Sequence, residues 1–174
     1  MVRRVRGRDK TAMKMLYDRY AGYLTAVCGR YIQDDDEVKD ILQEAFIKIF
    51  QRMDRFEYRG EGSLKAWMVR IVVNDSLKTL RRKKGLPLTG PLPEIVDEEP
   101  DFDAVPLPVI HEMIRALPEG YRTVFNLFVF GDKSHKEIAS LLGIKENSSA
   151  SQLFHAKAIL ARRIKEYIKT HDNG

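Results

Sequence analysis

The polar side chains of this 174-residue sequence are arranged for binding rather than for catalysis. No nucleophile lies at a useful spacing from a general base, no carboxylates are paired for acid–base work, and no glycine-rich phosphate loop occurs. The single cysteine, Cys28, and the four histidines do not form a metal-ligand spacing. We therefore expect a protein that is not an enzyme, that holds no metal or cofactor, and whose polar residues contact other macromolecules.

One candidate binding surface is an acidic strip on a predicted helix over residues 34–53. Apolar residues between Val38 and Met53 recur every three or four positions, which predicts one buried side. Another side carries acidic and amide groups with one aliphatic residue: Asp40, Gln43, Glu44 and Ile47. This strip is either a solvated face with a stray isoleucine or a surface that docks on a partner protein, and the rest of the chain favours the second interpretation.

Aromatic and arginine side chains alternate in the glycine-containing loop that follows. Phe56 and Tyr58 are interleaved with Arg59, and the loop ends at Ser63. These residue types suit stacking on an exposed single-stranded base. The alternative is that both aromatic rings pack into the core.

The next predicted helix, over residues 64–83, has a basic side. Cations and one amide share that side at helical spacing: Arg70, Asn74, Lys78, Arg81 and Arg82. Lys and Arg in a last turn complement the helix dipole, but this density is also typical of a helix that faces nucleic acid. Trp67, the only tryptophan, is either a core anchor or a platform against a base.

Two helices joined by a short turn near the C-terminus predict a helix-turn-helix. The first opens with the capping-box pair Ser134 and Glu137 and ends at Gly143. On the second, side chains able to read base edges or phosphates are predicted to lie opposite the core: Ser148, Ser151, Gln152 and His155, with Lys157 adding charge. A plain helical hairpin with a polar face is the alternative.

Charge and proline content divide the chain into three parts. Residues 1–84 hold 20 Lys and Arg against 12 Asp and Glu, whereas residues 85–106 hold six acids and no base. Six of the seven prolines lie in residues 85–108. We therefore predict an all-α protein with two small helical domains, 1–84 and 109–174, joined by an acidic proline-rich linker over 85–108. Residues 107–174 are basic again, with ten Lys and Arg against seven Asp and Glu. Two basic blocks predict a polyanionic partner that is touched at two places.

Cysteine usage and hydropathy predict the compartment. One cysteine excludes an intramolecular disulfide, and the helical stripe around Cys28 predicts a buried, inert thiol. The basic start is followed by no apolar run typical of a secretory signal, and no segment approaches the roughly 20 apolar residues of a membrane span. We expect a cytoplasmic protein without membrane insertion.

Together these motifs resemble the extracytoplasmic-function (ECF) sigma factors of bacterial RNA polymerase, over nearly all of residues 9–167. DILQEAFIKIF (40–50) resembles the family's polymerase-binding helix. SLKAWMVRIVVNDSLKTLRRKK (63–84) resembles its segment that melts and reads the −10 promoter element. LPEGYRTVFNL and SHKEIASLLGIKENSSASQLFHAKAIL resemble its C-terminal domain, which reads the −35 element.

The resemblance implies roles for the candidate residues. The acidic strip would dock on the coiled coil of the largest polymerase subunit, and the helix-turn-helix set would serve the −35 region. The loop, holding a flipped base, and the basic helix side would serve the −10 region: Phe56, Tyr58, Arg59, Ser63, Trp67, Arg70, Asn74, Lys78, Arg81 and Arg82.

Core RNA polymerase and promoter DNA are the implied partners, and an anti-sigma factor is a further candidate because the family often works under one. Many members carry Arg at the positions of Gln152 and His155, so this chain is expected to make weaker phosphate contact there and to prefer different bases. The competing hypotheses are an autonomous helix-turn-helix regulator and a helical scaffold without a nucleic-acid role.

Overall fold

A computed structural model describes residues 1–83 and 105–171, in two compact units that divide between Lys84 and Gly85. All regular structure in these residues is helical, and no strand occurs among them. The predicted all-α class is confirmed. Most of the predicted linker lies outside the described residues, and the domain boundaries stay a prediction.

The first unit is a three-helix core with two short additions. It contains α1 (Val2–Arg6), α2 (Lys10–Gly29), α3 (Asp35–Gln51), a 3₁₀ turn (Met53–Arg55) and α4 (Ser63–Arg82). Helices α2, α3 and α4 pack against one another in all three pairings. The spacing of apolar residues predicts helices over about residues 9–31, 34–53 and 64–83, and the bounds of α2, α3 and α4 agree with these to within two residues, whereas α1 was not predicted.

Side-chain caps start α2 and α3, and apolar burial holds the three long helices together. The carboxylate of Asp34 accepts hydrogen bonds from the backbone N–H groups of Asp36 and Glu37 at 3.0 and 2.9 Å, as an N-cap should. Each large apolar side chain buried in the core stabilises the fold by about 1.5–3 kcal/mol. The fully or almost fully buried set includes Leu16, Leu24, Val27, Ile49, Met68, Val72 and Leu77.

Cys28 lies inside this core, as predicted. Its side chain is fully buried, and its Sγ lies 3.4 Å from the hydroxyl of Ser76 on α4. Burial raises the pKa of the Cys28 thiol, which keeps the reactive thiolate scarce. The expectation of a buried thiol is confirmed.

An ion pair ties α3 to α4 on one side of this unit. The Lys48 ammonium lies 2.7 Å from a carboxylate oxygen of Asp75, and the two side chains are only 28% and 15% exposed. The second Asp75 oxygen is buried and has no partner within the described part of the chain. The ion pair with Lys48 therefore offsets most of the free-energy cost of removing the charged Asp75 carboxylate from water.

Replacing Lys48 by Met is expected to lower the free energy of unfolding by about 1–3 kcal/mol, because a poorly hydrated carboxylate loses its partner. Urea unfolding followed by Trp67 fluorescence measures this, since the only tryptophan lies in this unit. Lys39→Met is the matched control, because the Lys39–Asp36 pair is largely exposed and should contribute below about 1 kcal/mol. Equal losses in both variants would contradict a structural role for Lys48.

The second unit is a compact set of shorter helices around one long one. It contains α5 (Leu107–Arg115), α6 (Glu119–Phe125), a π-helical turn (Asn126–Phe130), α7 (His135–Leu142) and α8 (Glu146–His171). Because α5 begins at Leu107, the predicted linker boundary at residue 108 falls inside the first helical turn, where proline is well tolerated.

The core of this unit lies where α5, α6 and α8 meet. Its apolar cluster comprises Ile114, Leu117, Tyr121, Ala156, Ile159 and Leu160. The guanidinium of Arg122 is buried beneath the turn between α5 and α6 and donates to the carbonyl oxygens of Arg115 and Leu117, both at 3.1 Å. Burial lowers the pKa of Arg122.

Two glycines and a capping box shape the helix-turn-helix. A Cβ on Gly131 would lie 2.7 Å from the Leu127 carbonyl oxygen, so only glycine fits after the π-helical turn. Gly143 ends α7 in the left-handed region at φ 69°. The Ser134–Glu137 capping box is present, as predicted, and hydrogen bonds from Ser134 hold the pKa of Glu137 below its usual value.

No helix among the described residues is both long and apolar enough to cross a membrane.

Candidate functional site

The acidic strip of α3 is an open surface next to an apolar groove. All four side chains of the strip, Asp40, Gln43, Glu44 and Ile47, are exposed, and Ile47 is half exposed at 50%. Gln43 and Ile47 also line a groove of about 720 Å³ between α2 and α3. The other lining residues include Tyr17, Leu42, Phe46 and Phe50. An exposed isoleucine that continues into an apolar groove fits a docking surface better than a solvated face.

The opposite edge of the strip borders the basic side of α4. Asp40 and Glu44 line a small polar cleft of about 180 Å³ between α3 and α4, together with Lys78 and Arg82. The predicted protein-docking residues and two of the predicted DNA-binding residues therefore adjoin. A partner protein on α3 and nucleic acid on α4 would lie side by side on this unit.

The basic side of α4 is exposed, and its cations form no ion pair within the described residues. Arg70, Asn74, Lys78, Arg81 and Arg82 are all exposed, and within the described residues their side chains make no ion pair or hydrogen bond. By contrast, Lys83 lies 2.5 Å from the Glu37 carboxylate. Cations without carboxylate partners are available to phosphate groups.

The two aromatic residues of the loop between α3 and α4 differ in their exposure to solvent. Phe56 is only 3% exposed and packs against Trp67, with ring centroids 5.3 Å apart. The predicted placement of Phe56 on the DNA-facing surface is therefore wrong, because the Trp67 ring supplies an apolar partner that removes Phe56 from water. Tyr58, at 71% exposure, projects into solvent, and Trp67 is partly buried beside the loop.

Ser63 holds the turn that closes this loop. Its hydroxyl donates to the Gly60 carbonyl oxygen at 2.7 Å and accepts from the Arg59 backbone N–H at 3.2 Å. The Arg59 guanidinium is exposed and lies 3.0 Å from the Glu57 carboxylate, an exposed pair that holds it only weakly. Ser63 thus shapes the loop, while Tyr58 and Arg59 remain open to a ligand.

The helix-turn-helix face of α8 differs from its prediction at one residue. Ser151 and Lys157 are exposed, and Ser148 and His155 are partly buried, whereas Gln152 is only 2% exposed. The predicted position of Gln152 opposite the core is wrong, because α6 and α7 both pack on α8 and widen its buried side. Neither amide atom of Gln152 has a hydrogen-bond partner in the described residues.

Phe154 is a candidate residue that the sequence analysis missed. Its ring is 52% exposed on α8 and lies three residues from both Ser151 and Lys157, so the three share one outer face. The three-residue spacing from Ser151 and Lys157 could have identified Phe154 from the sequence, but the predicted DNA-binding set included only polar residues.

No group of three or more His, Cys, Asp or Glu able to hold a metal occurs in residues 1–83 and 105–171.

Two protein-family models match most of this chain. The model of sigma-70 region 2 matches residues 16–85, and the model of sigma-70 region 4 matches residues 108–160. The chain is 25% identical to the RNA polymerase sigma-H factor of Pseudomonas aeruginosa, covering 97% of this chain and 94% of the relative. It is 27% identical to the ECF RNA polymerase sigma-E factor of Escherichia coli K12, covering 97% of this chain and 95% of the relative.

A solved structure has a related fold. It is the co-crystal structure of the sigma factor RpoE in complex with the anti-sigma factor NepR from Bartonella quintana, with a TM-score of 0.50 and 19% identity, covering 87% of this chain and 96% of that chain. This likeness concerns the fold alone. From the two matched regions and the full-length relatives, the chain belongs to the sigma-70 family. It is an RNA polymerase sigma factor, and it is similar over nearly its full length to a sigma-E factor of the ECF group.

Proposed function

We propose that this sigma factor docks on core RNA polymerase through the acidic strip of α3 and the adjoining groove, and that its two units read the two elements of a promoter. The observation that carries the proposal is that the acidic strip and the cations of α4 line one polar cleft, although these cations form no ion pair with a carboxylate of the described residues. The polymerase supplies the catalysis, and this chain supplies the specificity and is itself no enzyme. We place both in the cytoplasm.

The α4 surface and the loop before it serve the −10 element in this proposal. The cations of α4 contact the phosphates, and Tyr58 with Trp67 offers aromatic surface to a base that has left the duplex. Unstacking a base costs a few kcal/mol, while stacking on an aromatic side chain returns about 1–3 kcal/mol per base. A small unit of modest charge therefore needs the polymerase to hold the duplex while it melts.

The exposed face of α8 serves the −35 element. Ser151 and Lys157 offer hydrogen-bond donors to base edges and phosphates, and we add Phe154, since an apolar ring at this place can contact the methyl group of thymine. Gln152 is proposed to swing outward when DNA binds. Its buried amide lacks partners, so it gives up no hydrogen bond within the described residues when it turns toward an adenine.

Replacing Gln152 by Leu is expected to raise the free energy of unfolding of this unit by about 1 kcal/mol, because a buried amide without partners is removed. The same change should weaken base discrimination at one −35 position by about 1–3 kcal/mol. Thermal unfolding by circular dichroism and competition among −35 variants measure the two effects. A gain in stability with unchanged base preference would mean that Gln152 never reaches the DNA.

An anti-sigma factor is a further proposed partner. The groove beside α3 is open to an apolar segment of a second polypeptide, and such a protein would compete there with the polymerase. We expect the anti-sigma factor and core polymerase to displace each other from this chain in a binding competition.

Run-off transcription with core polymerase on a library of random promoters tests the proposal. Transcripts should arise only when this chain is added, and the selected templates should share two elements. The chain alone should bind duplex DNA weakly at physiological salt. Tight duplex binding without any stimulation by core polymerase would instead identify an autonomous regulator.

A further inference from the structure

The short helix α1 reaches across the first unit to the loop that precedes α4. Val5 is buried at 2% exposure and anchors α1 to the unit, and α1 packs against both α2 and the 3₁₀ turn. From this anchor the Arg6 guanidinium extends to two backbone carbonyls. Its Nε donates to the Met53 oxygen at 3.2 Å, and one of its terminal nitrogens donates to the Phe56 oxygen.

These two carbonyls lie at the start of the 3₁₀ turn and at the residue directly after it. Met53 opens the 3₁₀ turn, and Phe56 is the last residue before the exposed segment that contains Tyr58. Phe56 is thus held on two sides, by its ring against Trp67 and by its carbonyl on Arg6. The far end of the loop is fixed separately, by the bond from the Ser63 hydroxyl to the Gly60 carbonyl.

The guanidinium of Arg6 suits this task because it is a planar fork with several fixed donors. Its bonds span 47 and 50 residues of chain, so they are tertiary contacts and not part of the helix that carries it. No carboxylate of the described residues pairs with Arg6, in contrast to Arg4, which lies 2.8 Å from Asp9. Within the described residues, the hydrogen bonds of the Arg6 side chain go to the loop backbone.

We infer that Arg6 is a positioning residue for base capture: it fixes the backbone before Tyr58 so that the loop is preformed for a flipped −10 base. The inference rests on the proposed function, because it gives the loop the role proposed above. A preformed loop loses less conformational freedom when it binds a base than a loose one does. Arg6 thereby raises affinity for single-stranded DNA without touching it.

The test uses holoenzyme assembled from core polymerase and full-length variants, and a single-stranded oligonucleotide that carries the selected −10 sequence. Arg6→Ala should bind the oligonucleotide about tenfold more weakly, since both hydrogen bonds from the charged guanidinium to the loop backbone are lost. Its affinity for core polymerase and for a −35 duplex should be unchanged. The slope of log affinity against log salt should also be unchanged, whereas a lost phosphate contact would reduce it by about 0.7.

Two matched variants separate positioning from charge. Arg3→Ala removes the same charge from the same helix, but the Arg3 side chain makes no hydrogen bond or ion pair within the described residues, so the oligonucleotide affinity of this variant should stay within about twofold. Arg6→Lys keeps the charge but lacks the fork, so it should be nearly as defective as Arg6→Ala. Full affinity in Arg6→Lys, or a parallel loss of core binding in Arg6→Ala, would overturn the inference.

Failure of the inference and failure of the proposed function give different results. If wild-type holoenzyme does not bind the −10 oligonucleotide, the proposed role of the first unit fails. If wild-type holoenzyme binds and Arg6→Ala binds equally well, only the positioning role of Arg6 fails.

Discussion

Replacing Ile47 by Glu is expected to weaken binding to core RNA polymerase by at least about 100-fold and to abolish promoter-specific transcription. Ile47 is half exposed at the border between the acidic strip and the apolar groove, where a docked partner would cover it. A carboxylate buried there without a partner costs several kcal/mol, and about 2.7 kcal/mol already corresponds to 100-fold in affinity.

Met15→Glu is a closely matched control for this substitution. Met15 is exposed to the same 50%, belongs to the same unit on α2, and does not line the groove. The change in charge is identical, so a general electrostatic effect would appear in both variants. We expect the core affinity of Met15→Glu to stay within about threefold of the wild type, because exposed sites away from an interface contribute little.

Fluorescence titration of labelled protein with core polymerase gives both affinities, and unfolding monitored through Trp67 shows that both variants are folded. If Ile47→Glu bound core polymerase as tightly as Met15→Glu, the strip of α3 would not be the docking surface. Loss of transcription with intact core binding would instead place the defect in a later step.

The helices of this protein could be predicted because their signals are local. The apolar residues of α3 recur at helical spacing, its cap at Asp34 lies beside it, and the Ser134–Glu137 box precedes α7 directly. The exposure of the acidic strip followed from the same periodicity. Each of these features depends on residues that are close in the chain, so the sequence contains the necessary information.

The sequence-based predictions failed where the position of a residue depends on a partner far away in the chain. Phe56 is buried because Trp67 packs on it, and nothing local distinguishes its ring from that of Tyr58. Gln152 is buried because two helices pack on α8, which widens the apolar side beyond the usual stripe. Helix α1 has only five residues, too few to show periodicity, and it is held by one buried valine and the long-range bonds of Arg6.

The double substitution Arg81→Glu with Arg82→Glu is expected to reduce the rate of promoter opening by about 100-fold. Both side chains are exposed in the last turn of α4 without carboxylate partners in the described residues. If each contacts one phosphate, their loss should reduce the slope of log affinity against log salt by about two. Glutamate adds repulsion from the phosphates to this loss, which makes the effect larger than that of neutral substitutions.

Two further variants isolate the cause of this effect. Glutamate at a helix C-terminus also opposes the helix dipole, at about 0.3–1 kcal/mol for each residue, so Arg81→Gln with Arg82→Gln is needed to show the phosphate contacts alone. That pair should lower the salt slope equally but the opening rate less. Lys10→Glu with Lys14→Glu gives the same change in net charge on α2, and it should leave the slope nearly unchanged because neither lysine is proposed to contact a phosphate.

Stopped-flow fluorescence of a base analogue placed in the −10 element measures the opening rate at several salt concentrations. The comparison separates specific contact from general charge, because all the glutamate variants differ from the wild type by the same net amount. A helical scaffold without a nucleic-acid role would respond to none of these substitutions. Equal losses in the α2 and α4 variants would mean that the basic side of α4 attracts DNA only through the overall charge of the unit and makes no phosphate contacts of its own.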